Sequence, residues 1–567
     1  MIHCFIILNI LYTLPSFNKR TYYKSTLNSF YKFILFTLVL HFSLDSLSQN
    51  RDISYMSSGG KLKPLQAIMD IRHYTLALDI DIPNQSISGY TEIDLILSQP
   101  TDTLLFDLAH LYIVKNITVD NKAQKFYQQA DLIYIVNATG FKTGNQKIKI
   151  KYSGIPPVAV NPPWAGGFSW KKDSNGNPWV IINCWFEGGK IYFPCKDHPS
   201  DEPNEGADLI ITVPKGLTVA GPGLLQKLST KKDRQTWHWK TNYTISNYCI
   251  LFNIGKYAIG RKSYTTVNGN NLPIEVYLLE EDKANLEKIL AMKERDTRVL
   301  EKYFGEYPWV KEKIAVAETP NYGMEHQTMI TYGNWETRFN YQQVGGQDYS
   351  ANLFHEYTHE WFANKVTNKD WAHMWIQEGI TTYGEALFCR EAAGERGYDS
   401  MMVMIKSDIQ NKKPLVQGNE VNTADTYTGD IYSKGAFFMH MLRYMLGDEL
   451  FFPTLKKLAT DAKYTYDNFV TTDDVEQLFS KAFNKNLKLF FDFYLRTTNV
   501  LDINIKETGY HTYEVKINNY FMDLPVEITT NNKTEKILLT NEGVTLTSNT
   551  PPGVDERGFY LKKITIQ

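Results

Sequence analysis

The sequence predicts an α+β protein of several domains: an all-β domain first, a mainly helical domain in the middle and a small β-sandwich-like domain last. A chain of 567 residues is too long for one hydrophobic core. Apolar residues alternate with polar ones early and late in the chain and recur at helical spacing between. Aromatic residues make up 14% of the chain, which favours large packed β surfaces.

The first domain is predicted over residues 65–260. In "HYTLALDIDIPNQSISGYTEIDLIL", which begins at His73, apolar side chains occupy alternate positions from Tyr74 to Ile82 and resume after a turn. This period of two predicts a half-buried hairpin. Short strands separated by Gly, Asn and Pro continue without a long helical pattern, so an all-β domain is expected.

The period changes in the middle segment, residues 261–500. Leu286, Ile289 and Leu290 fit one face of a helix, and helical patterns dominate from there, with a few strands such as "KIAVAE". Alternation returns over residues 501–567. We predict a small β domain there that docks on the rest of the chain, because its isolated core would be too small.

Apolar runs precede these domains in residues 1–49. A run of about a dozen apolar residues from Phe33 to Leu44 suits a signal peptide better than a membrane span, which needs roughly 20. We therefore expect an exported protein, cleaved near Ser48, with a linker over residues 50–64. The earlier run "IHCFIILNILY" is also compatible with a membrane anchor or an over-extended start site.

Bulk charge offers no electrostatic argument for nucleic acid or an anionic membrane as a partner, because 60 basic and 62 acidic side chains give a net charge of −2. The five cysteines contain no CxxC pair, so they describe neither a disulfide scaffold nor a thiolate zinc site. Cys184 and Cys195 could form a disulfide in an oxidising compartment or remain buried thiols.

A metal site is predicted in the stretch "HEYTHEWFANKVTNKDWAHMWIQEGI", which begins at His355. Side chains four apart share a helix face, so His355 and His359 can present two imidazoles to one ion. Glu356 lies at the flank, close enough to deprotonate a water at the metal. Zinc needs a third protein ligand, and Glu378 is the natural candidate. His373 falls outside both helical spacings and is predicted to be a bystander.

The alternative is a chance HExxH on a solvated helix face. Phe354, Tyr357 and Trp361 surround the histidines with bulky apolar groups, which predicts a buried environment. Two histidines and a glutamate without a partner would be costly there, so the metal interpretation is preferred.

Further motifs accompany this stretch in a fixed order: "HYTLALDID", "YFPCKDHP", "FGEYP", "YGMEH", "WFANKVT", "WIQEG" and "IYSKGAFFMHMLRYMLG". Over about residues 65–500, the chain resembles the aminopeptidase N and leukotriene hydrolase family of zinc metallopeptidases. The resemblance implies a saddle-like N-terminal domain and a thermolysin-like catalytic domain. It also implies one Zn²⁺ per chain, held by His355, His359 and Glu378.

"YGMEH" resembles the family's GxMEN exopeptidase motif. The resemblance implies that Glu325 holds the substrate's ammonium, with Gly323 and Met324 beside the peptide backbone. Tyr322 and His326 depart from the family's usual Gly and Asn. The alternative is an ordinary turn after "KIAVAE".

"IYSKGA" resembles the family's YxKG motif and implies that Tyr432 donates to the oxyanion. The alternative is a buried tyrosine at the start of a helix. Glu385 lies two helical turns after Glu378, where it could orient a zinc histidine or form a surface salt bridge.

One position departs from the family more sharply. The family commonly places Gln or Glu beside the substrate amine in a segment that resembles "NCWFEGGKIYFPC", and by register that position is Trp185. In a strand, Glu187 would share the face of Trp185 but not its place. Amine binding is therefore expected to rely on Glu325 and Glu378.

These residues together imply a zinc-dependent aminopeptidase that acts on peptides with a free N-terminus through a metal-activated water. Two alternatives remain. A zinc metalloendopeptidase would have no use for Glu325, and a non-catalytic zinc-containing peptide-binding protein would have little reason to keep Glu356 and Tyr432.

Overall fold

The early alternation forms the predicted hairpin. Strand β1 (Met69–Asp81) pairs antiparallel with β2 (Ser86–Leu97), and Tyr74 is among the side chains that it buries.

The computed structural model describes residues 53–333, 339, 341–520 and 522–567. The predicted signal peptide and cleavage site therefore lie outside the described residues.

The N-terminal region is mostly β, as predicted. A short helix, α1 (Pro64–Ala67), precedes it. The further strands are β3 (Thr101–Asp107), β4 (Tyr112–Val119), β5 (Lys122–Ala123), β6 (Lys125–Gln129), β7 (Leu132–Phe141), β8 (Gly144–Gly154), β9 (Gly167–Lys172), β10 (Pro178–Asn183), β11 (Ala207–Pro214), β12 (Thr218–Ala220), β13 (Leu224–Lys231), β14 (Arg234–Thr241) and β15 (Asn253–Gly255). They form sheets with the orders β13-β14-β11-β1-β2-β8-β4-β5, β12-β15-β10-β9 and β3-β7-β6.

The middle region joins a small sheet to the helices. Its strands are β16 (Tyr257–Thr265), β17 (Asn271–Leu279), β18 (Ile314–Glu318), β19 (Ile330–Tyr332), β20 (Gln342–Val344), β21 (Gln347–Tyr349), β22 (Thr367–Asn368) and β23 (Phe469–Val470). Its helices are α2 (Leu286–Phe304), α3 (Ala351–Thr358), α4 (Trp375–Ser407), α5 (Thr423–Thr426), α6 (Asp430–Leu446), α7 (Asp448–Thr460), α8 (Thr472–Phe483) and α9 (Lys488–Leu495). Strands β16 to β19 lie in chain order in one sheet.

Short 3₁₀ turns link several of these elements: Gly189–Ile191, Asn247–Cys249, Glu280–Asn285, Trp371–His373 and Ala462–Tyr464. The apolar face predicted for α2 is buried at Ile289 and Leu290. The helix ends where Gly305 adopts a φ of 87°, a backbone conformation that favours glycine.

The C-terminal region is a pair of small sheets. Its strands are β24 (Leu501–Gly509), β25 (Thr512–Ile517), β26 (Leu524–Thr530), β27 (Lys533–Leu539), β28 (Val544–Thr547), β29 (Gly553–Val554) and β30 (Lys562–Ile566). They pair in the orders β28-β25-β24-β30 and β27-β26-β29. The predicted fold class, with β, helical and β-rich regions in turn, is confirmed.

This C-terminal pair of sheets packs against the helical region. The ring of Phe559 stacks on Tyr444 of α6 at a centroid distance of 3.9 Å, and Lys406 Nζ donates to the carbonyl oxygen of Gly558 at 3.0 Å. The chain from Ser54 to Gln567 clusters as one compact unit. The prediction that the small β region docks is confirmed.

Four cysteines are described, and each is a buried free thiol, including Cys184 and Cys195. The disulfide alternative for that pair is therefore wrong. Among the described residues, no helix combines the length and apolar character that crossing a membrane requires.

Candidate active site

The predicted metal ligands converge at the C-terminal end of α3. His355 lies in its last turn, His359 caps its end, and Glu378 comes from the first turn of α4. Glu378 Oε2 lies 3.4 Å from His355 Nε2 and 3.3 Å from His359 Nε2. The ligand atoms of all three residues lie within 4.8 Å of one another. Two imidazole nitrogens and one carboxylate oxygen match the donor set of a catalytic zinc site.

Hydrogen bonds at Nδ1 orient both histidines. His355 Nδ1 lies 2.9 Å from Glu385 Oε1, and His359 Nδ1 lies 2.8 Å from the carbonyl oxygen of Phe362. Because a carbonyl oxygen can only accept, Nδ1 of His359 carries a proton, and in the neutral ring Nε2 keeps its lone pair toward the cluster. That tautomer can bind a metal, so the residues present fit zinc.

The charges of the cluster are coupled. Burial alone would lower the pKa of His355, but its contacts with Glu378 and Glu385 raise that pKa well above the usual value. Burial would also lower the pKa of His359, but its contact with Glu378 raises that pKa above the usual value. Burial would raise the pKa of Glu378, yet the two histidines lower it to about 2. A metal ion must therefore displace protons from the histidines in order to bind.

Glu356 flanks this cluster on α3. Its side chain is buried, and Oε1 accepts from Asn352 Nδ2 at 2.8 Å, one helical turn earlier. Burial, together with the nearby carboxylate of Glu325, raises the pKa of Glu356 to about 8. A carboxylate that titrates near neutral pH is suited to accept a proton and return it.

Glu325 reaches the same space from the loop between β18 and β19. It is only 4% exposed, and its Oε1 accepts from the Tyr248 hydroxyl at 3.0 Å. Its ligand atom lies within 4.8 Å of those of Glu356 and His359. A second carboxylate thus faces the cluster from outside the helix that carries the histidines.

Gly323 and Met324, the two residues before Glu325, fix the position of the loop that carries it. Met324 forms a two-way backbone bridge with Thr331, with N···O distances of 3.2 and 3.0 Å. A Cβ atom on Gly323 would lie 2.7 Å from Glu356 Cγ, so a side chain at this position would displace Glu356.

Tyr432 reaches the cluster from the first turn of α6. Its ring centroid lies 5.8 Å from that of His355, and burial raises the pKa of its hydroxyl, which therefore keeps its proton. Helices α4 and α6 approach closely at two glycines, where no side chain separates them. A Cβ atom on Gly379 would lie only 2.7 Å from Gly435 Cα. The contact between these glycines therefore holds Tyr432 near Glu378.

These groups line one cavity of about 450 Å³, a size that suits the end of a peptide. The lining includes the carboxylates and histidines described above. The lining also includes four aromatic side chains that contact one another: Trp164, Trp185, Tyr322 and Tyr427.

Trp185 lies among these aromatic side chains rather than on a strand. Strand β10 ends at Asn183, so the strand geometry considered for Trp185 and Glu187 does not apply. The chain turns here, with Gly188 N donating to the carbonyl oxygen of Cys184 at 2.6 Å. The Trp185 ring packs on Tyr427 at a centroid distance of 5.6 Å. An aromatic ring thus occupies the place where the resemblance would put an amine-binding amide or carboxylate.

His373 lies apart from the candidate ligands. Its Nδ1 lies 3.0 Å from Thr472 Oγ1, at the start of α8, and burial lowers its pKa. This hydrogen bond joins two helical segments, in keeping with the bystander role predicted for it.

Two family models match this chain in the same order as its regions. "Peptidase M1 N-terminal domain" matches residues 71–249, and "Peptidase family M1 domain" matches residues 290–494. The chain belongs to peptidase family M1. The second match contains both helices that carry the candidate zinc ligands of this M1 protein.

Relatives of this M1 protein bear out the resemblance. It is 23% identical to "Aminopeptidase 2, mitochondrial" of Saccharomyces cerevisiae over 489 aligned residues. This alignment covers 80% of this chain and 49% of the relative. It is 24% identical to "Aminopeptidase N" of Lactococcus lactis, with 75% of this chain and 50% of the relative covered. The chain thus spans about half the length of these curated relatives.

A similar fold is found in a solved M1 zinc metallopeptidase from Deinococcus radiodurans, crystallised as a mutant with a Tyr-Ser-Ala substrate bound. The TM-score is 0.64 at 21% identity, and the match covers 77% of this chain and 95% of the other. At this level of identity the comparison shows the shared fold.

Sequence reasoning missed several residues that shape the site of this M1 protein. Asn352 lies four residues before Glu356, so helical periodicity could have found it. Tyr248, Trp164 and Tyr427 come from separate segments and carry no motif, so no local signal points to them.

The buried carboxylate of Glu360 accepts several hydrogen bonds next to the site. Its carboxylate accepts from Thr328 N at 2.9 Å, Trp309 Nε1 at 2.6 Å, Tyr307 Oη at 3.2 Å and Asn364 Nδ2 at 3.1 Å. Asn364 Nδ2 also donates to the carbonyl oxygen of Glu325 at 2.8 Å. Glu360 therefore ties the end of α3 to the loop that carries Glu325.

We expect Glu360→Ala to lower the free energy of unfolding by on the order of 3 kcal/mol, because the buried donors Thr328 N and Trp309 Nε1 lose their acceptor. Denaturant unfolding of the variant measures the loss. Glu287→Ala, on the exposed side of α2, is the matched control and should change little. Equal transition midpoints for the two variants would contradict this role of Glu360.

Proposed function

We propose that this M1 protein is a zinc-dependent aminopeptidase that releases the first residue of peptides with a free N-terminus. The observation that carries the proposal is the buried carboxylate of Glu325, which faces the cavity beside the candidate metal ligands. A peptide's ammonium placed there would find an anionic partner whose side chain is buried. The names of the relatives and the tripeptide in the related structure support the same class of substrate.

His355, His359 and Glu378 would hold the zinc ion. When bound, zinc supplies a Lewis acid that polarises the scissile carbonyl and lowers the pKa of a water. Glu356 accepts a proton from the attacking water and delivers it to the leaving amine. The Tyr432 hydroxyl donates to the carbonyl oxygen as negative charge develops on it. Glu325 holds the ammonium, so only the first peptide bond reaches the reacting groups.

The test of this proposal separates it from its two alternatives. Wild-type protein is incubated with a panel of aminoacyl-fluorophores and with N-acetylated, internally quenched peptides, with and without a chelator. An aminopeptidase cleaves only the free-amine substrates, and chelation abolishes cleavage. A zinc endopeptidase would cleave the acetylated ones, and a non-catalytic binding protein would cleave neither.

Glu325→Ala should raise KM and lower kcat for aminoacyl substrates. A buried charge-assisted contact contributes about 1.5–3 kcal/mol, so kcat/KM should fall by a factor of about 10 to 100. Because burial raises the pKa of Glu325, the wild-type KM should also rise as the pH is lowered and Glu325 takes up a proton. Steady-state kinetics as a function of pH provide both measurements. Unchanged kinetics in the variant would rule out Glu325 as the amine ligand.

A further inference from the structure

A loop from the N-terminal region forms part of the cavity wall. This loop, residues 155–166, joins β8 to β9, and we call it the flap. Its tip closes on itself, since Ala165 N donates to the carbonyl oxygen of Asn161 at 2.8 Å. Its end is fastened by Gly166 N, which donates to Glu187 Oε1 at 2.8 Å. Trp164, at the tip, is thereby held at the cavity.

Trp164 makes one hydrogen bond across the cavity wall. Its Nε1 donates to the hydroxyl oxygen of Tyr427 at 2.7 Å, a short distance for a bond of this kind. Its ring also meets Tyr322 edge-on at a centroid distance of 5.5 Å. The flap therefore contacts the segment just before α6.

Tyr427 in turn lies against Tyr432. The two hydroxyl oxygens are 3.5 Å apart, and the two rings meet edge-on at a centroid distance of 6.1 Å. This O···O distance is longer than that of a typical hydrogen bond, so its strength depends on how firmly Tyr427 is held. Two contacts hold Tyr427: the hydrogen bond from Trp164 to its hydroxyl, and the packing of Trp185 on its ring at a centroid distance of 5.6 Å.

The donor and acceptor capacities of these groups impose a direction. An indole N–H can only donate, so Tyr427 must accept from Trp164, and its own proton is left to point elsewhere. If the Tyr427 hydroxyl donates this proton to the Tyr432 oxygen, Tyr432 accepts one hydrogen bond. The Tyr432 hydroxyl can then donate its own proton into the cavity. Each donation polarises the next hydroxyl, which makes the last one a stronger donor.

We propose that Trp164 and Tyr427 are positioning residues that act through Tyr432. In this chain of three donors, the flap of the N-terminal region orients and strengthens the hydroxyl that faces the substrate carbonyl. The proposal rests on the aminopeptidase function proposed above. It adds that the N-terminal region takes part in the chemical step as well as in forming the wall of the cavity.

The test is a double-mutant cycle with an aminoacyl-fluorophore substrate. Tyr427→Phe keeps the ring and removes the relaying hydroxyl, and Trp164→Phe keeps an aromatic ring and removes the indole donor. Each should lower kcat about tenfold, while KM changes less than twofold, because the lost hydrogen bond acts on developing charge. In a Tyr432→Phe background, neither substitution should lower kcat further, since the last donor of the chain is already gone.

Trp170→Phe is the matched control for the loss of an indole donor. Trp170 lies on β9, directly after the flap, and among the described residues its buried Nε1 has no hydrogen-bond partner. It should keep the wild-type kcat. Thermal unfolding of every variant identifies any that fail to fold, and the Tyr427→Phe cycle alone still decides the question if Trp164→Phe does not fold.

The outcomes distinguish this proposal from the one on which it rests. A wild-type protein that cleaves no aminoacyl substrate would refute the proposed function. A normal wild type with an unchanged kcat in Tyr427→Phe, or with losses that add fully to that of Tyr432→Phe, would refute the donor chain alone. A loss confined to KM would show that Trp164 and Tyr427 serve only as the wall of the cavity, which also overturns the proposal.

Discussion

Replacing Glu356 with Gln is expected to lower kcat for an aminoacyl substrate by a factor of about 10³, within the range that general-base groups contribute. The amide has nearly the shape of the carboxylate, and its oxygen can still accept from Asn352 Nδ2. The variant therefore keeps the geometry of the site and loses only the group that accepts the proton. Steady-state kinetics on a free-amine substrate measure the loss.

Glu287→Gln, the same substitution on the exposed side of α2, should keep the wild-type kcat. The zinc content of Glu356→Gln, measured by elemental analysis, should equal that of the wild type, because the proposed ligands are His355, His359 and Glu378 and Glu356 is proposed as the base. If Glu356→Gln kept more than a tenth of the wild-type kcat with normal zinc content, Glu356 could not be the base.

Removing zinc is expected to abolish activity and to destabilise the fold. A ligand present at 1,000 times its Kd stabilises the folded state by about 4 kcal/mol. Adding zinc to the chelated protein should therefore raise the temperature of thermal unfolding, and this readout does not depend on catalysis. His359→Ala removes one candidate ligand and should abolish the zinc-dependent rise.

His373, in the same sequence stretch as the candidate ligands, provides the control. His373→Ala loses a hydrogen bond to Thr472 and should unfold at a lower temperature, yet keep the zinc-dependent rise. A rise that persisted in His359→Ala, or that vanished in His373→Ala, would contradict the proposed ligand set.

The zinc-dependent rise should also depend on pH. The pKa values of His355 and His359 are raised in the metal-free cluster by their contacts with Glu378. Both rings therefore hold protons that zinc must displace, and more of these protons are present at low pH. At a fixed zinc concentration, the rise should shrink from pH 8 to pH 6. A rise that grew toward pH 6 would be inconsistent with histidine ligands.

Regular periodicity made the fold class predictable. Side chains alternate across a strand and repeat every three to four residues on a helix, so β1 and α2 are visible in short windows of sequence. The same geometry explains why His355, Glu356 and His359 could be singled out, since one helical turn brings them together whatever surrounds it. Glu378 and Glu385 share a helix in the same way.

The spacing of residues did not show where strand β10 ends. The comparison of Glu187 with Trp185 applies to a strand, but β10 stops at Asn183 and the chain turns. Glu187 instead accepts from Gly166 N and fastens the flap. Cys184 and Cys195 are free thiols, although their spacing also allowed a disulfide.

The sequence by itself determined the succession of β, helical and β-rich regions, and the HExxH spacing brought His355, Glu356 and His359 together within about one helical turn. Each of these follows from local spacing, because neighbours along one helix or strand stand in fixed geometry. Only the tertiary structure decided that Tyr248 donates to Glu325 and that Trp164 donates to Tyr427, across 77 and 263 residues of chain. Contacts between distant segments depend on how whole sheets and helices pack, and no short window of sequence records that packing.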